Sequence, residues 1–416
     1  MYEIVYGKLK MGNVYLTDIV DEFGTPAYVT DEEKIRQKFR RLRNAFTKSQ
    51  LSPRIYYSCK ANSNISVLAI LKNEGAYVDA ASTGEVFLCL KAGFEPERIL
   101  FTSTSVHKED FQFLIKNNIM VNIDSFSQLH NLAKINNNIK ILIRVNPEIR
   151  AGHHEYCMTA ERTSKFGIPM DRIVSAFQEA KEYNFNILGI HFHLGSGILE
   201  IKPYVTAFKN IMNICREIEK TIDINLKIIN MGGGFGIPYS LNDGEFDLDA
   251  LAERIAEIIR KEDRILAIEP GRYIVGDSTV LLTRINHIKE TYDRTLLCVD
   301  AGFNLLIRPV LYSSYHRIIG IERIDTEPCY EYDVVGPLCE SGDVLGRKRK
   351  LPRMKEGDVV AVLDTGAYGF SMSSWYNSRP RCAEILVREN NVDLIREKES
   401  HEDLIRHQIL LKRLIT

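Results

Sequence analysis

The sequence predicts an α/β fold, with a TIM-like (β/α)8 barrel followed by a C-terminal all-β domain of the sandwich or small-barrel kind. Two observations lead to this prediction. Apolar, β-rich runs alternate with amphipathic segments between residues 54 and 270, and short runs separated by turns replace that pattern after about residue 278. Apolar strands buried on both faces need helices as cover, and eight of them favour a closed barrel. An open doubly wound sheet is the structural alternative.

Eight short runs are predicted as the barrel strands, at residues 54–60, 76–81, 98–103, 119–124, 140–146, 187–193, 227–234 and 264–270. Segments between them show helical spacing of apolar residues, as in Leu251, Ile255 and Ile258 before the last run. Each predicted helix therefore separates two parallel strands.

The C-terminal part contains five further β-rich runs: TLLCVDAG, YDVVGPLC, DVVAVLDTGAYG, RCAEILV and NVDLIRE. We predict a barrel over residues 26–278 and a β-rich domain over residues 279–416 that also takes residues 1–25. The segment VYLTDIVDEFGTPAYVT belongs either to that second domain or to the start of the barrel. A chain of 416 residues is long enough for two hydrophobic cores.

The composition argues against several classes of function. A net charge of -1 and a pI near 6.8 create no field that would attract nucleic acid or an anionic membrane. The first residues lack the features of a signal peptide, and no apolar stretch approaches a membrane span, so we expect a cytoplasmic protein. Eight cysteines without CxxC pairs argue against a zinc site and a dense disulfide framework. The expected ligand is a small molecule, with no metal.

Polar side chains gather at the C-terminal ends of the predicted strands, where barrel enzymes place their chemistry. They are Lys60, Asp79, Arg144, His191, His193, Ser196, Glu269 and Arg272. A lysine that ends a strand is often only a solvated end, so its neighbours decide how it is interpreted. Because parallel strand ends meet at one mouth of a barrel, these residues are expected to form a polar ring.

A glycine-rich turn follows the seventh run at residues 232–236, and the eighth run leads into Gly271 and Arg272. Without a Cβ, backbone N–H groups can approach an anion closely, and Ser196 with Arg272 would complete a phosphate cup. Such turns also occur for steric reasons alone. One phosphate site beside one lysine suggests pyridoxal phosphate.

That cofactor requires a Schiff-base amine and a partner for its pyridine nitrogen. Lys60 fits the first role, provided that burial favours the neutral amine. Glu269 fits the second, and His193 fits a position against the ring face. The alternatives are a structural ion pair for Glu269 and a hydrogen-bonded core histidine for His193.

Seven motifs carry a resemblance to a known family over nearly the whole chain, from about Phe23 to Leu404: YYSCKAN, HFHLGSG, GGGFG, EPGR, RPVLYSSYH, GPLCESGDVLG and GAYGFSMSSWYNSRPR. The chain resembles the fold type III, pyridoxal-phosphate-dependent decarboxylases, specifically the diaminopimelate decarboxylase family. This resemblance implies a carboxy-lyase that converts meso-2,6-diaminopimelate to L-lysine and carbon dioxide, the last step of lysine biosynthesis.

The resemblance also implies roles for individual residues. The catalytic residues would be Lys60, His193, Glu269 and Cys339, with Cys339 as the acid that protonates the carbon left after loss of carbon dioxide. Cofactor contacts would come from Lys60, Asp79, His193, Ser196, Gly233, Gly234, Glu269, Gly271, Arg272 and Tyr368. A buried apolar thiol is the alternative for Cys339.

Substrate recognition is implied at Arg272, Arg308, Tyr312, Glu340 and Tyr368. The arginines would grip the distal carboxylate of diaminopimelate, and Glu340 would receive its distal ammonium. The resemblance further implies a homodimer with shared active sites, in which the CESGD loop arrives from the partner subunit.

Two segments depart from the commoner family pattern. The loop over residues 151–163 has Thr159-Ala160 where a Thr-Gly step is usual, and HFHLGSG replaces HCHIGSQ. These changes leave room for a D-lysine or D-ornithine decarboxylase, whereas Arg308 disfavours L-lysine and L-ornithine. An amino-acid racemase or a non-catalytic pyridoxal-phosphate carrier is a third interpretation, and the residues from 278 onward argue against both.

Overall fold

The computed structural model describes residues 2–149, 152, 160, 163–324 and 326–415. Most of the divergent loop at residues 151–163 therefore lies outside the described residues. The chain divides into two compact units: the first comprises residues 1–34, 239–241 and 275–416, and the second comprises residues 35–238 and 242–274. Within the described ranges, no helix combines the length and apolar character needed to cross a bilayer.

The first unit begins with a small antiparallel sheet and a short amphipathic helix. Its elements are β1 (Tyr2–Val5), β2 (Lys8–Met11), β3 (Val14–Tyr15), α1 (Leu16–Phe23) and β4 (Ala27–Asp31). Helix α1 buries Leu16, Ile19 and Val20, which follow the spacing of one helix face.

The second unit is a closed parallel barrel. Its strands are β5 (Arg54–Ser58), β6 (Tyr77–Ala80), β7 (Ile99–Thr102), β8 (Met120–Ile123), β9 (Lys140–Asn146), β11 (Asn186–His191), β12 (Ile228–Gly233) and β13 (Ile265–Glu269), with a two-residue strand β10 (Ile168–Pro169) beside β9. Neighbouring strands pair in parallel, β9 pairs with β11, and β13 pairs back to β5. This confirms the predicted barrel, and each observed strand end lies within two residues of the predicted one.

Helices cover the barrel before its first strand, between successive strands and after its last strand. They are α2 (Glu32–Lys48), α3 (Ile65–Asn73), α4 (Thr83–Lys91), α5 (Lys108–Lys116), α6 (Phe126–Ala133), α7 (Ile173–Glu182), α8 (Lys202–Ile222), α9 (Leu248–Ile259) and α10 (Arg272–Val275). Three of them are capped by the residue before the helix, Asn64, Ser82 or Ser125, whose side-chain oxygen accepts a hydrogen bond from a backbone N–H in the first turn.

The barrel interior has an apolar layer with a polar layer above it. The apolar layer contains Tyr56, Leu100, Met120, Leu142, Ile228 and Ala267. Side chains two residues apart on a strand share a face, so the next inward residues are Ser58, Asp79, Thr102, Asn122, Arg144, Asn230 and Glu269. A bulge between Ile187 and Gly189 changes the phase of β11 and brings His191 into this layer. The sequence therefore places a polar ring toward the C-terminal ends of the strands.

The rest of the first unit is a mostly antiparallel β-structure, which confirms the predicted C-terminal β-rich domain. It contains β14 (Thr279–Glu290), β15 (Thr295–Val299), α11 (Arg308–Leu311), β16 (Ile318–Gly320), β17 (Tyr330–Val335), β18 (Val344–Leu351), β19 (Val359–Val362), β20 (Ala383–Arg388), β21 (Asn391–Arg396) and α12 (His401–Ile405). The order of the main sheet is β18-β17-β15-β14-β4-β20-β21. Strand β4 lies between β14 and β20, so the AYVT segment belongs to this sheet.

Candidate active site

Lys60 lies in a single 3-10 turn, Cys59–Ala61, immediately after strand β5. Its Nζ atom donates a hydrogen bond to Oδ2 of Asp79 over 2.7 Å. The Asp79 side chain is fully buried, whereas 41% of the Lys60 side chain remains exposed. The lysine is therefore held at the barrel mouth by a buried carboxylate, which a merely solvated strand end would not be.

Glu269 ends strand β13, and neighbouring strands hold both of its carboxylate oxygens. Oε2 lies 3.1 Å from Nε2 of His191, and Oε1 accepts a hydrogen bond from Nδ2 of Asn230 over 2.7 Å. All three side chains are at least nine-tenths buried. The carboxylate is thus fixed in orientation, because each oxygen has its own donor.

The two buried carboxyl groups of the ring have pKa values that move in opposite directions. Burial alone would raise the pKa of Glu269, but the charge and hydrogen bond of His191, together with the charge of Lys60, lower it to about 2. Burial raises the pKa of Asp79, and repulsion from Glu269 raises it further, against the opposing effect of Lys60. Glu269 is therefore the permanent anion at the floor of the site.

His193 follows strand β11 and is held by the glycine turn. Its Nδ1 atom accepts a hydrogen bond from the backbone N–H of Gly233 over 3.1 Å. Burial, with the nearby charges of Arg144 and Lys60, lowers the pKa of His193 to about 3. The imidazole is therefore neutral near pH 7, with Nδ1 as the acceptor nitrogen.

The glycine turn packs so closely that side chains would not fit. A Cβ on Gly232 would lie 2.6 Å from Nδ1 of His193, and its φ of +65° is in the left-handed region. A Cβ on Gly234, at φ +92°, would lie 1.9 Å from the carbonyl oxygen of Gly195. Tyr204, on helix α8, supports the turn from behind because its hydroxyl donates to the Gly233 carbonyl over 3.0 Å.

Ser196 follows Gly195, whose carbonyl oxygen lies against Gly234, and Arg272 is the hydrogen-bond partner of Ser196. Nη2 of Arg272 donates a hydrogen bond to Oγ of Ser196 over 3.1 Å. Gly271 lies against the lysine turn, where an added Cβ would come within 3.0 Å of the Cβ atoms of Ser58 and Ala61. Pyridoxal phosphate requires an anion cradle for its phosphate, an amine for its aldehyde and a buried anion for its pyridine nitrogen. The site contains all three kinds of group, so the residues present fit that cofactor.

Apart from Arg272, the predicted substrate residues belong to the first unit. Arg308 is buried, its Nη1 atom lies 2.8 Å from Nε2 of His316, and its guanidinium lies over the Tyr239 ring. His316 also places Nδ1 2.8 Å from the carbonyl oxygen of Leu363, which can only accept, so Nδ1 carries the proton and Nε2 accepts from Arg308. The guanidinium plane is therefore fixed.

Cys339 is exposed, so the buried-thiol interpretation of this residue is wrong. Nδ2 of Asn377 lies 3.1 Å from its sulfur, and its backbone N–H donates to Oδ1 of the same Asn377 over 3.0 Å. The Tyr376 hydroxyl donates to Glu340 over 2.5 Å and lies 3.9 Å from the Cys339 sulfur. Tyr376 and Asn377 thus hold the side chains of Cys339 and Glu340, the first two residues of the CESGD loop.

The remaining predicted residues are the two tyrosines Tyr312 and Tyr368, both partly buried in the first unit. Tyr368 has φ +59°, a left-handed conformation that is uncommon for a bulky residue and that often marks a functional site.

The barrel unit brings together nine of the predicted residues, namely Lys60, Asp79, His193, Ser196, Gly233, Gly234, Glu269, Gly271 and Arg272. Sequence reasoning assigned no role to Asn230 and did not find Tyr204. Asn230 carried a signal, because it is a lone polar residue in the apolar run that precedes the glycine turn. Tyr204 carried none, because nothing local links a helical tyrosine to a turn about thirty residues later.

The chain is similar to proteins of a known family. Residues 32–276 match the family model described as "Pyridoxal-dependent decarboxylase, pyridoxal binding domain". A diaminopimelate decarboxylase of Methanothermobacter thermautotrophicus is 44% identical over 417 residues, covering 98% of this chain and 97% of the relative.

Solved structures of diaminopimelate decarboxylases are also similar to this chain. The diaminopimelate decarboxylase of M. jannaschii in co-complex with L-lysine superposes with a TM-score of 0.93 at 31% identity, covering 100% of this chain and 99% of that one. The Helicobacter pylori diaminopimelate decarboxylase complexed with L-lysine has a TM-score of 0.88 at 34% identity, with 94% and 98% of the two chains covered.

Proposed function

The chain belongs to the pyridoxal-dependent decarboxylases and, within them, to the diaminopimelate decarboxylase family, and we propose on that premise how its residues perform the reaction. The enzyme removes carbon dioxide from meso-2,6-diaminopimelate and yields L-lysine. The observation that carries the proposal is the polar ring, in which Lys60, an ionised Glu269 and a glycine cradle share one barrel mouth. When bound, pyridoxal phosphate supplies an electron-accepting ring for the electron pair released as carbon dioxide leaves.

The residues of the barrel would hold that cofactor at both ends. Gly234 and Gly271 would offer backbone N–H groups to the phosphate, Gly233 would leave space for it, and Ser196 with Arg272 would complete the cradle. Lys60 would supply the amine that faces the aldehyde group of the cofactor, and Asp79 keeps that amine at the mouth. Glu269 would accept a hydrogen bond from the protonated pyridine nitrogen, and its low pKa keeps it anionic in that role.

A neutral His193 side chain suits a position against the face of the cofactor ring. A protonated imidazole at this position would repel a protonated pyridine ring, whereas the low pKa of His193 leaves an uncharged aromatic face for stacking. The hydrogen bond from Gly233 to Nδ1 fixes the plane of that ring.

We assign proton return to Cys339. Its S–H bond breaks, the electron pair stays on sulfur, and the proton forms a new C–H bond at the carbon that has lost carbon dioxide. The sulfur has a hydrogen-bond donor in Asn377, which stabilises the negative charge that remains after the transfer.

The distal end of the substrate is assigned to Arg308, Tyr312 and Glu340, with Arg272 and Tyr368 near the cofactor phosphate. The distal carboxylate suits a guanidinium held in one plane, as Arg308 is by His316. Glu340 supplies a carboxylate for the distal ammonium. A homodimer with shared active sites and a cytoplasmic location complete the proposal.

A substrate panel tests this function. The purified enzyme, loaded with pyridoxal phosphate, is incubated separately with meso-diaminopimelate, D-lysine, D-ornithine, L-lysine and L-ornithine, and released carbon dioxide is measured. Release from meso-diaminopimelate with formation of L-lysine is expected. Turnover of D-lysine or D-ornithine with inert diaminopimelate would replace the assignment by the D-amino-acid alternative, and racemisation without carbon dioxide would reject decarboxylation.

A further inference from the structure

Asn230 connects two parts of the barrel site that the proposed function uses separately. Its Nδ2 donates to Oε1 of Glu269 over 2.7 Å, and its Oδ1 accepts from the backbone N–H of Gly232 over 3.0 Å. The side chain is completely buried. One amide therefore joins the carboxylate at the floor of the ring to the glycine turn at its rim.

His191 holds the other oxygen of the same carboxylate. Its Nε2 lies 3.1 Å from Oε2 of Glu269, and its Nδ1 is buried with no hydrogen-bond partner among the described residues. Oε2 can only accept when Glu269 is ionised, so Nε2 carries a proton. His191 is thus oriented toward a single partner, Glu269.

The two hydrogen bonds of Asn230 fix the distance between the Glu269 carboxylate and the glycine turn. Removing the amide of Asn230 would leave Oε1 of Glu269 and the N–H of Gly232 without partners inside the barrel. Buried groups without partners rearrange or take up water, so the distance between carboxylate and turn would no longer be set.

We propose that Asn230 is a positioning residue that sets the separation between the Glu269 carboxylate and the glycine turn, and that His191 completes the orientation of Glu269. The inference rests on the proposed function, because it takes these two elements to be the contacts for the two ends of the cofactor. Neither side chain needs to touch the cofactor for this role.

Two substitutions separate the two hydrogen bonds of Asn230. Asn230→Ala removes both of them. Asn230→Asp keeps an oxygen for the Gly232 N–H but replaces the donor to Glu269 with a second carboxylate. Asn122→Ala is the matched control, because Asn122 lies in the same buried layer and its amide makes no hydrogen bond in the described part of the chain.

Two probes are measured on cofactor-free protein, with circular dichroism to verify folding. Inorganic phosphate probes the glycine turn alone through the rise in melting temperature that it causes. Pyridoxal phosphate probes both ends through its dissociation constant, measured by equilibrium dialysis. The dissociation constant is expected to rise at least about tenfold in both Asn230 variants, since each loses a hydrogen bond to a charged group. Stabilisation by phosphate is expected to persist in Asn230→Asp and to be lost in Asn230→Ala.

His191 is tested by a conservative rescue. His191→Phe keeps a ring but loses the donor, whereas His191→Gln keeps an N–H in the position of Nε2, so pyridoxal phosphate affinity should fall in the first and recover in the second. Asn230 variants that bind both probes as Asn122→Ala does, or equal loss of phosphate stabilisation in the two Asn230 variants, would overturn the inference. Failure of the unmodified protein to bind pyridoxal phosphate would instead reject the proposed function.

Discussion

Nζ of Lys60 donates a hydrogen bond to Oδ2 of Asp79 over 2.7 Å, across the two adjacent strands β5 and β6. The pairing places a flexible amine at one point of the barrel mouth, because its partner is completely buried and cannot move into solvent. Burial and the charge of Glu269 raise the pKa of Asp79, and the Lys60 charge opposes that rise. The position of the amine therefore depends on the charge of the carboxylate.

Asp79→Asn should slow attachment of the cofactor. The amide has the size of the carboxylate but no charge to attract the amine, so the visible absorbance band should appear about tenfold more slowly after pyridoxal phosphate is added to cofactor-free protein. Asp249→Asn is the control, since Asp249 pairs with Arg41 at the exposed surface. Equal rates in the two variants and the unmodified protein would show that Asp79 does not position Lys60.

Acid should destabilise the fold through His193. Its pKa is about 3 in the folded protein and near 6.5 when unfolded, so as pH falls below 6.5 the unfolded chain gains a proton that the folded chain does not. This lowers the free energy of unfolding by up to about 1.4 kcal/mol per pH unit. The lowered pKa of Glu269 acts in the same direction, but only below its ordinary value near 4.5.

The His193 contribution is isolated between pH 6.5 and 4.5 by urea denaturation of the cofactor-free protein. His193→Gln should show a smaller loss of stability over this window than the unmodified chain. His287→Gln, which alters an exposed histidine, should not change the slope. An unchanged slope in the His193 variant would contradict a neutral, half-buried imidazole.

Gly232→Ala should abolish cofactor binding. The new Cβ would meet Nδ1 of His193 and the Phe192 carbonyl oxygen at 2.6 Å, and the residue would have to keep φ +65°. The turn and the His193 ring cannot both stay in place, so we expect the dissociation constant of pyridoxal phosphate to rise at least about a hundredfold. Gly244→Ala is the matched control, because no atom lies within 4 Å of an added Cβ there. Comparable affinity of the two variants would mean that the turn is not the cradle.

Asn377→Asp should slow alkylation of Cys339 by iodoacetamide. The thiolate is the species that reacts, and the substitution replaces an N–H donor 3.1 Å from the sulfur with a repelling carboxylate. We expect the rate at Cys339 to fall about tenfold. Aspartate tolerates the left-handed φ of +54° at this position, so the backbone should be kept.

Cys329 is the internal control for that measurement. It is exposed like Cys339 and lies near Glu327, away from Asn377 in sequence, so its alkylation rate should stay the same. Peptide mass spectrometry measures both cysteines in one sample. A faster reaction at Cys339 would indicate that Asn377 only shields the thiol.

Much of the barrel could be predicted because its signals are local. Each strand is an apolar run of four to seven residues, and polar side chains follow at the same end of each one. His191 lies in the ring as predicted, but the bulge near Gly189 that brings it there has no local signal in the sequence. A regular alternation would have turned Ile190 toward the ring.

The β-rich unit shows where local signals end. Strand β14 begins in the core and finishes exposed, so its second half lacks the apolar alternation that marks a strand. Its partner β4 lies about 250 residues earlier, with Thr30 opposite Thr279. Such a pairing is decided by packing between distant segments, which no short motif records. The contacts of Asn377 with Cys339 and of Tyr204 with the glycine turn escaped prediction for the same reason.

The most direct test of the account is to identify the lysine that carries the cofactor. The enzyme loaded with pyridoxal phosphate is treated with borohydride, digested and mapped by mass spectrometry, with Lys60→Ala as the control. We expect a phosphopyridoxyl group on Lys60 and no visible absorbance band in the variant. A label on another lysine, or a band that survives in Lys60→Ala, would contradict the role assigned to Lys60.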